Sequence, residues 1–283
     1  MSDFPHPFAA RCTAQDSPTH VECGPQPPAR RIWLAGASAG IGAAMTEVLL
    51  KSGVQLAVSA RDAQALKALD ERYPGQVFVV PGDLTDSQQV REIGECIKQV
   101  WGSLDTVIIN AGTCEYVEAQ AFDASVVEQV VRTNLLASSY CIEIALPLLR
   151  GGIKPHLVRI ASAVTFLPLP CAEAQGASKA GMRHLFESLR IDPACQGIDV
   201  TLVGPGFVDT PLTRKNDFPM PLNWPADQAA SYICEKLPKH PPEISLPALS
   251  MAGLWPPPLL SKRRQPAIDR RMVRNSGKDK DLS

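Results

Sequence analysis

The sequence predicts an α/β fold, a doubly wound parallel sheet built as a single domain. Three observations carry this reading. Short apolar runs alternate with helix-like segments six times from Arg31 onward. The runs are near-continuous in Val, Ile, Leu and Ala, as strands covered on both faces are. The first run ends in a glycine cluster that passes straight into a helix. Strands and helices that alternate in sequence imply a parallel sheet with helices on both faces.

Taken in order, the first strand spans 31–35 and leads into a helix over 40–52. A second strand at 54–59 precedes a helix at 62–72, and a third at 76–80 precedes a helix at 86–101. The fourth strand, 104–109, is followed by a long helix within 123–149, with Pro147 near its end. The fifth, 156–160, precedes a helix over 173–191, and 198–203 is the sixth. Four prolines between 207 and 225 forbid a regular helix there. A loop of that length in a compact domain usually has a function, often as a lid. A short helix at 226–237 and a possible seventh strand at 243–246 close the domain.

The expected organisation is a proline-rich disordered arm over 1–29, the domain over 30–250, and a proline-rich then basic tail over 251–283. Within the domain, 207–237 would form the substrate loop and lid helix. A net charge of −1 gives no electrostatic reason to expect nucleic acid or an anionic membrane as partner. No apolar run approaches the roughly 18–20 residues that span a bilayer. The eight cysteines contain no Cys-x-x-Cys pair, so reduced thiols in a cytoplasmic protein are expected. The histidines show no metal-ligand spacing, and no metal site is expected.

The glycine cluster reads Gly36-Ala37-Ser38-Ala39-Gly40-Ile41-Gly42. A strand, a glycine-rich turn and a helix in this order seat the pyrophosphate of a dinucleotide, which makes the sheet Rossmann-type. Gly36 would allow the tight turn, Gly40 would let backbone N–H groups approach phosphate, and Gly42 would allow close helix packing. Ser38 and Ile41 complete the turn. The helix N-terminus adds free N–H groups and a partial positive charge.

Further along, the motifs resemble those of the short-chain dehydrogenase/reductase family over about 31–247. The resemblance rests on Gly36, Gly40 and Gly42, on Asp83-Leu84, and on Asn110-Ala111-Gly112. It continues with Asn134, Ser162, Lys179 and the run Pro205-Gly206-Phe207-Val208-Asp209-Thr210. It implies that Asp83 and Leu84 lie at the adenine and that Pro205, Gly206, Val208 and Thr210 lie under the nicotinamide. Ser162 would hydrogen-bond the substrate oxygen, Asn134 would hold a water, and Lys179 would hold the nicotinamide ribose and lower an acid's pKa. Asn110 is expected to brace the sheet end.

One position departs from the family pattern. The resemblance places a tyrosine thirteen residues after the serine and four before the lysine. Both spacings point to residue 175, which is Gln175. An amide donates a hydrogen bond but does not titrate in water. Three outcomes follow: slow turnover through water and Lys179, another acid such as Glu173 or Cys171, or cofactor binding without turnover. The cofactor is expected to be NADP(H) rather than NAD(H). No acid ends the second strand, and Arg61 follows it, where a guanidinium could grip a 2′-phosphate. Asp62 reads as a helix N-cap. The implied function is an NADP(H)-dependent oxidoreductase acting on a carbonyl/alcohol pair. The alternative is a non-catalytic dinucleotide-binding or scaffold protein. The family usually forms dimers or tetramers, and Val126, Val127, Val130 and Val131 exceed what one buried stripe needs.

Overall fold

The computed structural model describes residues 29–117, 119–162, 171–192, 197–215, 220 and 223–246. The expected arm over 1–29, apart from Ala29, the last four residues of the expected domain (247–250) and the tail over 251–283 lie outside these residues, as do Cys12, Cys23 and Cys195. Six strands come first along the chain: β1 (Arg31–Ala35), β2 (Gln55–Ser59), β3 (Val77–Val79), β4 (Thr106–Ile109), β5 (His156–Ile160) and β6 (Asp199–Pro205). The short β7 (Val208–Asp209) and β8 (Trp224–Pro225) pair with each other, and β9 (Glu243–Leu246) joins the main sheet. The helices are α1 (Gly40–Lys51), α2 (Ala63–Arg72), α3 (Ser87–Trp101), α4 (Ala124–Val131), α5 (Ala137–Arg150), α6 (Glu173–Ile191) and α7 (Ala226–Lys236).

The main sheet is parallel throughout, in the order β3-β2-β1-β4-β5-β6-β9. The chain runs outward from β1 in one direction and then from β4 in the other. A crevice therefore opens beyond the carboxyl ends of β1 and β4, where ligands of open α/β sheets bind. Alternation along β1 divides its side chains between two cores. Trp33 and Ala35 face the α3, α5 and α6 layer, while Ile32 and Leu34 face the α1, α2 and α7 layer. Trp33 is fully buried, and its indole N–H donates to Ser59 Oγ at 2.9 Å, so the large ring brings no unpaired donor into the core.

Helix starts follow the local chemistry. Asp62, Asp86 and Asp123 accept backbone N–H bonds at the first turns of α2, α3 and α4. The N-terminus of α1, after Ala39, has no side-chain cap. Gly102, with φ of 71°, ends α3.

The long helix differs from the expectation of one regular element. A π-helical turn over Arg132–Leu136 separates α4 from α5. Asn134 lies in that turn, and its carbonyl accepts from Ser138 Oγ at 2.6 Å and from the Arg159 guanidinium at 3.2 Å. Side groups take up a carbonyl that a regular helix would pair internally, which is the usual company of a π-bulge. The helix also continues through Pro147 to Arg150. Val130 is buried against Val117 and the α6 residue Ala174, with Val126 and Val127 half-buried beside it. An intramolecular contact thus takes up three of the four valines read as surplus.

β6 runs two residues further than expected, because Gly204 and Pro205 pair with Ser245 and Leu246 of β9. The seventh main-sheet strand is therefore present. The β7–β8 pairing, with Trp224 N–H donating to Phe207 O at 3.0 Å, pins together both ends of the proline-rich loop. Residues 216–219 and 221–222 of that loop lie outside the described set. No helix among the described residues is long and apolar enough to cross a membrane.

The glycine cluster has a specific steric demand. A Cβ on Gly42 would sit 2.0 Å from Gly36 O and 2.4 Å from Asn110 Nδ2. Gly42→Ala should therefore cost about 1–3 kcal/mol, as overpacking does. Gly176→Ala should instead stabilise by about 0.5–1 kcal/mol, because a Cβ there meets nothing within 4 Å and the residue is inside α6. Urea denaturation of the two variants checks the opposite signs.

Candidate active site

Beyond β1 the backbone turns over the end of β2. Gly36, at φ of 95°, donates its N–H to Ser59 O at 2.8 Å, and Ala37 donates to the same oxygen at 3.2 Å. A Cβ on Gly36 would lie 2.5 Å from Ala111 N, and Gly40 has φ of 54°. Asn110 Nδ2 donates to Gly36 O at 2.7 Å, so Asn110 does brace the turn against the end of β4. Ser38 and Ile41 are half-buried beside this turn. Thr210 lies 3.2 Å from where a Gly40 Cβ would be. A bare helix N-terminus, glycines that leave room for close approach, and a crevice at the sheet's switch point fit a dinucleotide pyrophosphate. The third glycine packs α1 on the turn itself rather than on a strand.

Around this cradle the other expected residues keep to the same sheet edge. Arg61 is exposed just past β2. Asp62 is used as the α2 cap, accepting from Gln64 N at 3.1 Å and Ala65 N at 3.0 Å. Asp83 follows β3 with its carboxylate held by Thr85 N–H at 2.9 Å and Thr85 Oγ1 at 2.8 Å, and Leu84 is buried beside it. Pro205, the last residue of β6, and Val208 and Thr210 beyond it are buried, with Gly206 half-buried between them.

A second constellation joins the loop after β4 to α6. The Asn134 side chain is fully buried and grips Thr113 twice, with Oδ1 accepting from Thr113 N at 2.8 Å and Nδ2 donating to Thr113 O at 3.0 Å. Nδ2 also donates to Ser178 Oγ at 2.9 Å, and Ser178 in turn donates to Gln175 O at 2.9 Å. Both amide hydrogens of Asn134 are thereby used in bracing. Gln175 is half-buried one helical turn before Lys179, and its Oε1 accepts the Cys114 thiol hydrogen at 2.9 Å.

Lys179 is 7 % exposed, and its ammonium makes no hydrogen bond among the described residues. It lies 3.4 Å from the point a Cβ on Gly112 would occupy, so Gly112 leaves room for it. Burial pushes its pKa down to about 7, and the Arg159 charge adds to that, while Cys114 acts in the opposite direction. Arg159 is wholly buried on β5 and donates to Ile109 O at 2.6 Å, Ala111 O at 3.0 Å and Asn134 O at 3.2 Å. Burial lowers its pKa to about 10, so it stays charged at neutral pH.

Ser162 is half-buried at the carboxyl end of β5, beside the crevice. Cys171 has a left-handed backbone, φ 61°, and its carbonyl accepts from Val117 N–H at 3.0 Å. Glu173 is exposed on the first turn of α6. Cys114, Ser178 and Arg159 were not among the residues expected here. The only sequence signal for Arg159 was a charged residue inside a strand-length apolar run.

The model of short chain dehydrogenases matches residues 30–219. An uncharacterized oxidoreductase of Myxococcus xanthus is 31% identical over 238 residues, covering 81% of this chain and 94% of that protein. The chain belongs to the short-chain dehydrogenase family. Another uncharacterized oxidoreductase of this family match, from Mycobacterium tuberculosis, is 33% identical over 193 residues, 66% of this chain and 76% of its own length. Solved structures agree on the fold. A short-chain dehydrogenase from Streptomyces avermitilis has a TM-score of 0.72 at 21% identity, over 86% of this chain and 97% of that one. The RhlG protein of Pseudomonas aeruginosa, in complex with NADP, has a TM-score of 0.69 at 24% identity, over 77% of this chain and 95% of that one.

The unpaired ammonium gives this short-chain dehydrogenase a pH signature. The folded pKa of Lys179 lies below its ordinary 10.5. Between about 7 and 10.5 the unfolded chain binds more protons at this site, so its contribution to stability rises with pH across that window. Below about 7 both states are charged and the full cost of the buried charge is present. Lys179→Met should raise stability at pH 6 by about 1–4 kcal/mol, and the gain should shrink toward pH 10. Thermal melts of parent and variant across that range test the sign.

Proposed function

We propose that the protein is an NADP(H)-dependent oxidoreductase acting on a carbonyl/alcohol pair, slowed because Gln175 stands where the family carries its proton-donating tyrosine. The observation that carries this reading is the Lys179 side chain, 7 % exposed, whose ammonium makes no hydrogen bond to the described residues and lies next to Gly112 at the end of the crevice. Keeping a cation there is costly to the fold, and it serves a dinucleotide ribose and a developing negative charge at the substrate. The nicotinamide supplies hydride chemistry when bound. The protein's part is binding, orientation and proton handling. Ser162 would hold the substrate oxygen, Lys179 the ribose, and Asn134 would fix the loop that carries Gly112 relative to α6.

Arg61 supports the phosphorylated cofactor, because it is exposed at the end of β2 while Asp62 is occupied as a cap. Two of the similar solved structures carry NADP or 5-hydroxy-NADP. A cytoplasmic homodimer or homotetramer fits the family, with Phe122 (59 % exposed) and Leu136 (38 % exposed) offering apolar surface flanking α4. The second reading is a dinucleotide-binding protein without turnover. It is favoured by the one observation that an amide, not an acid, stands one turn before Lys179.

Two variants examine these assignments. Arg61→Ala should narrow the affinity gap between NADP(H) and NAD(H) by about 1–3 kcal/mol, as loss of a charge-assisted hydrogen bond does. Calorimetry with both cofactors measures it, and equal affinities in the parent would remove the assignment. Gln175→Tyr should raise kcat for a small carbonyl by about 10²-fold, the scale of general acid catalysis. Gln175→Phe, which restores the ring without the hydroxyl, should give no gain. A tyrosine variant that binds NADPH and reduces nothing favours the non-catalytic reading.

A further inference from the structure

We propose that the Cys114 thiol is the proton donor to the substrate oxygen in this site, positioned by the carboxamide of Gln175. The proposal rests on the oxidoreductase reading and supplies the group that reading lacks. Its first support is the contact itself, Cys114 Sγ–H to Gln175 Oε1 at 2.9 Å. The amide oxygen can only accept, so it orients the thiol hydrogen without competing as an acid. The second support is independent. Lys179 lies one turn further along α6, buried and with no hydrogen-bond partner, and its ammonium is electrostatically coupled to Cys114. Asn134 holds Thr113 at both its N–H and its carbonyl, which fixes the residue next to Cys114 relative to α6.

The chemistry suits the arrangement. A thiol ionises near ~8.5 and a phenol near ~10, and a neighbouring cation moves either toward neutrality. Arg159 from β5 and Cys114 from the loop after β4 both act on Lys179, and the Glu115 carboxylate follows Cys114 on that loop, accepting from Thr113 Oγ1 at 3.5 Å. Cys141 lies in the apolar core and is pushed up to about 12, and Cys234 on α7 likewise rises to about 12, both by burial.

In the reductive direction the hydride for the carbonyl carbon would come from a bound nicotinamide. The S–H bond of Cys114 breaks as an O–H bond forms at the substrate oxygen. The thiolate then takes a proton from Lys179, and the neutral amine takes one from water. In the oxidative direction the thiolate accepts the alcohol proton.

The full-length protein, without cofactor, is alkylated with iodoacetamide between pH 5.5 and 9.5. Modification at Cys114 is followed by peptide mass spectrometry. The expected profile rises at lower pH in the parent than in Lys179→Met. A thiol that stays as unreactive as Cys141 throughout, or a midpoint indifferent to Lys179→Met, overturns the proposal. In NADPH oxidation with a panel of small carbonyls, Cys114→Ala should lower kcat at least tenfold while NADPH affinity changes less than twofold. That cost should shrink at least fivefold in the Gln175→Tyr background, where the phenol takes over. An equal cost in both backgrounds assigns Cys114 a packing role and overturns the proposal. Undiminished turnover in Cys114→Ala defeats the donor alone. A parent that binds NADPH but turns over no carbonyl defeats the oxidoreductase reading together with the donor.

Discussion

A buried guanidinium holds the centre of this protein together. Arg159 has no carboxylate partner among the described residues. It donates instead to three backbone carbonyls, those of Ile109, Ala111 and Asn134. These belong to the end of β4, the loop after it, and the π-helical turn. A charge buried this deeply is tolerated only when its donors are satisfied; the carbonyls take its terminal nitrogens and the Met182 sulfur takes Nε. The irregular turn, the loop that carries Gly112 and Cys114, and the strand end are consequently locked in mutual register. The same charge helps hold the Lys179 pKa down, so one side chain sets both the shape of the site and its electrostatics.

Helix termini are allocated with equal economy. Three helices receive an aspartate cap, whereas α1, which begins in the crevice, has no side-chain cap, and neither do α5, α6 and α7. A side-chain cap at Ala39 would satisfy N–H groups that an anion can otherwise use. The turn leading to it is kept open by backbone contacts too close for a Cβ, at Gly36 and Gly42. Packing of α1 against α7 then carries the cradle on the helical layer opposite α6. The glycine cradle and the Lys179 constellation are thus supported by different layers that meet at the sheet's carboxyl edge.

Most of the fold was legible because it depends on periodicity and local chemistry. The apolar runs located all seven main-sheet strands, and Asp62 could be read as a cap from its place before an amphipathic segment. The α6 span, and with it the one-turn spacing of Gln175 and Lys179, also followed from the pattern. What was not legible depends on tertiary contact. The π-helical turn exists because Ser138 and Arg159 claim the Asn134 carbonyl, and no local signal marks that. Cys114 meets Gln175 across 61 positions of sequence. The strand reading ended β6 too early because Gly and Pro rarely extend a strand, whereas pairing with β9 carries it on.

Arg159, charged at neutral pH, and Lys179, held down to about 7, occupy one interior region, and no acid among the described residues pairs with either. A protein selected only for stability would place apolar side chains or an ion pair there. The imbalance has a physical meaning under the proposed function, in which the cleft takes a ribose and a polar substrate. A preorganised positive field stabilises an oxygen that becomes negative during reaction, and it needs no reorganisation at that moment. An internal carboxylate would neutralise that field before substrate arrived. Ser178, Asn134 and the Thr113 backbone therefore satisfy one another with neutral hydrogen bonds. Gln175 fits the same rule. It adds no charge, and its carbonyl oxygen is taken by a thiol rather than by the ammonium. The lysine is left to face whatever enters the crevice.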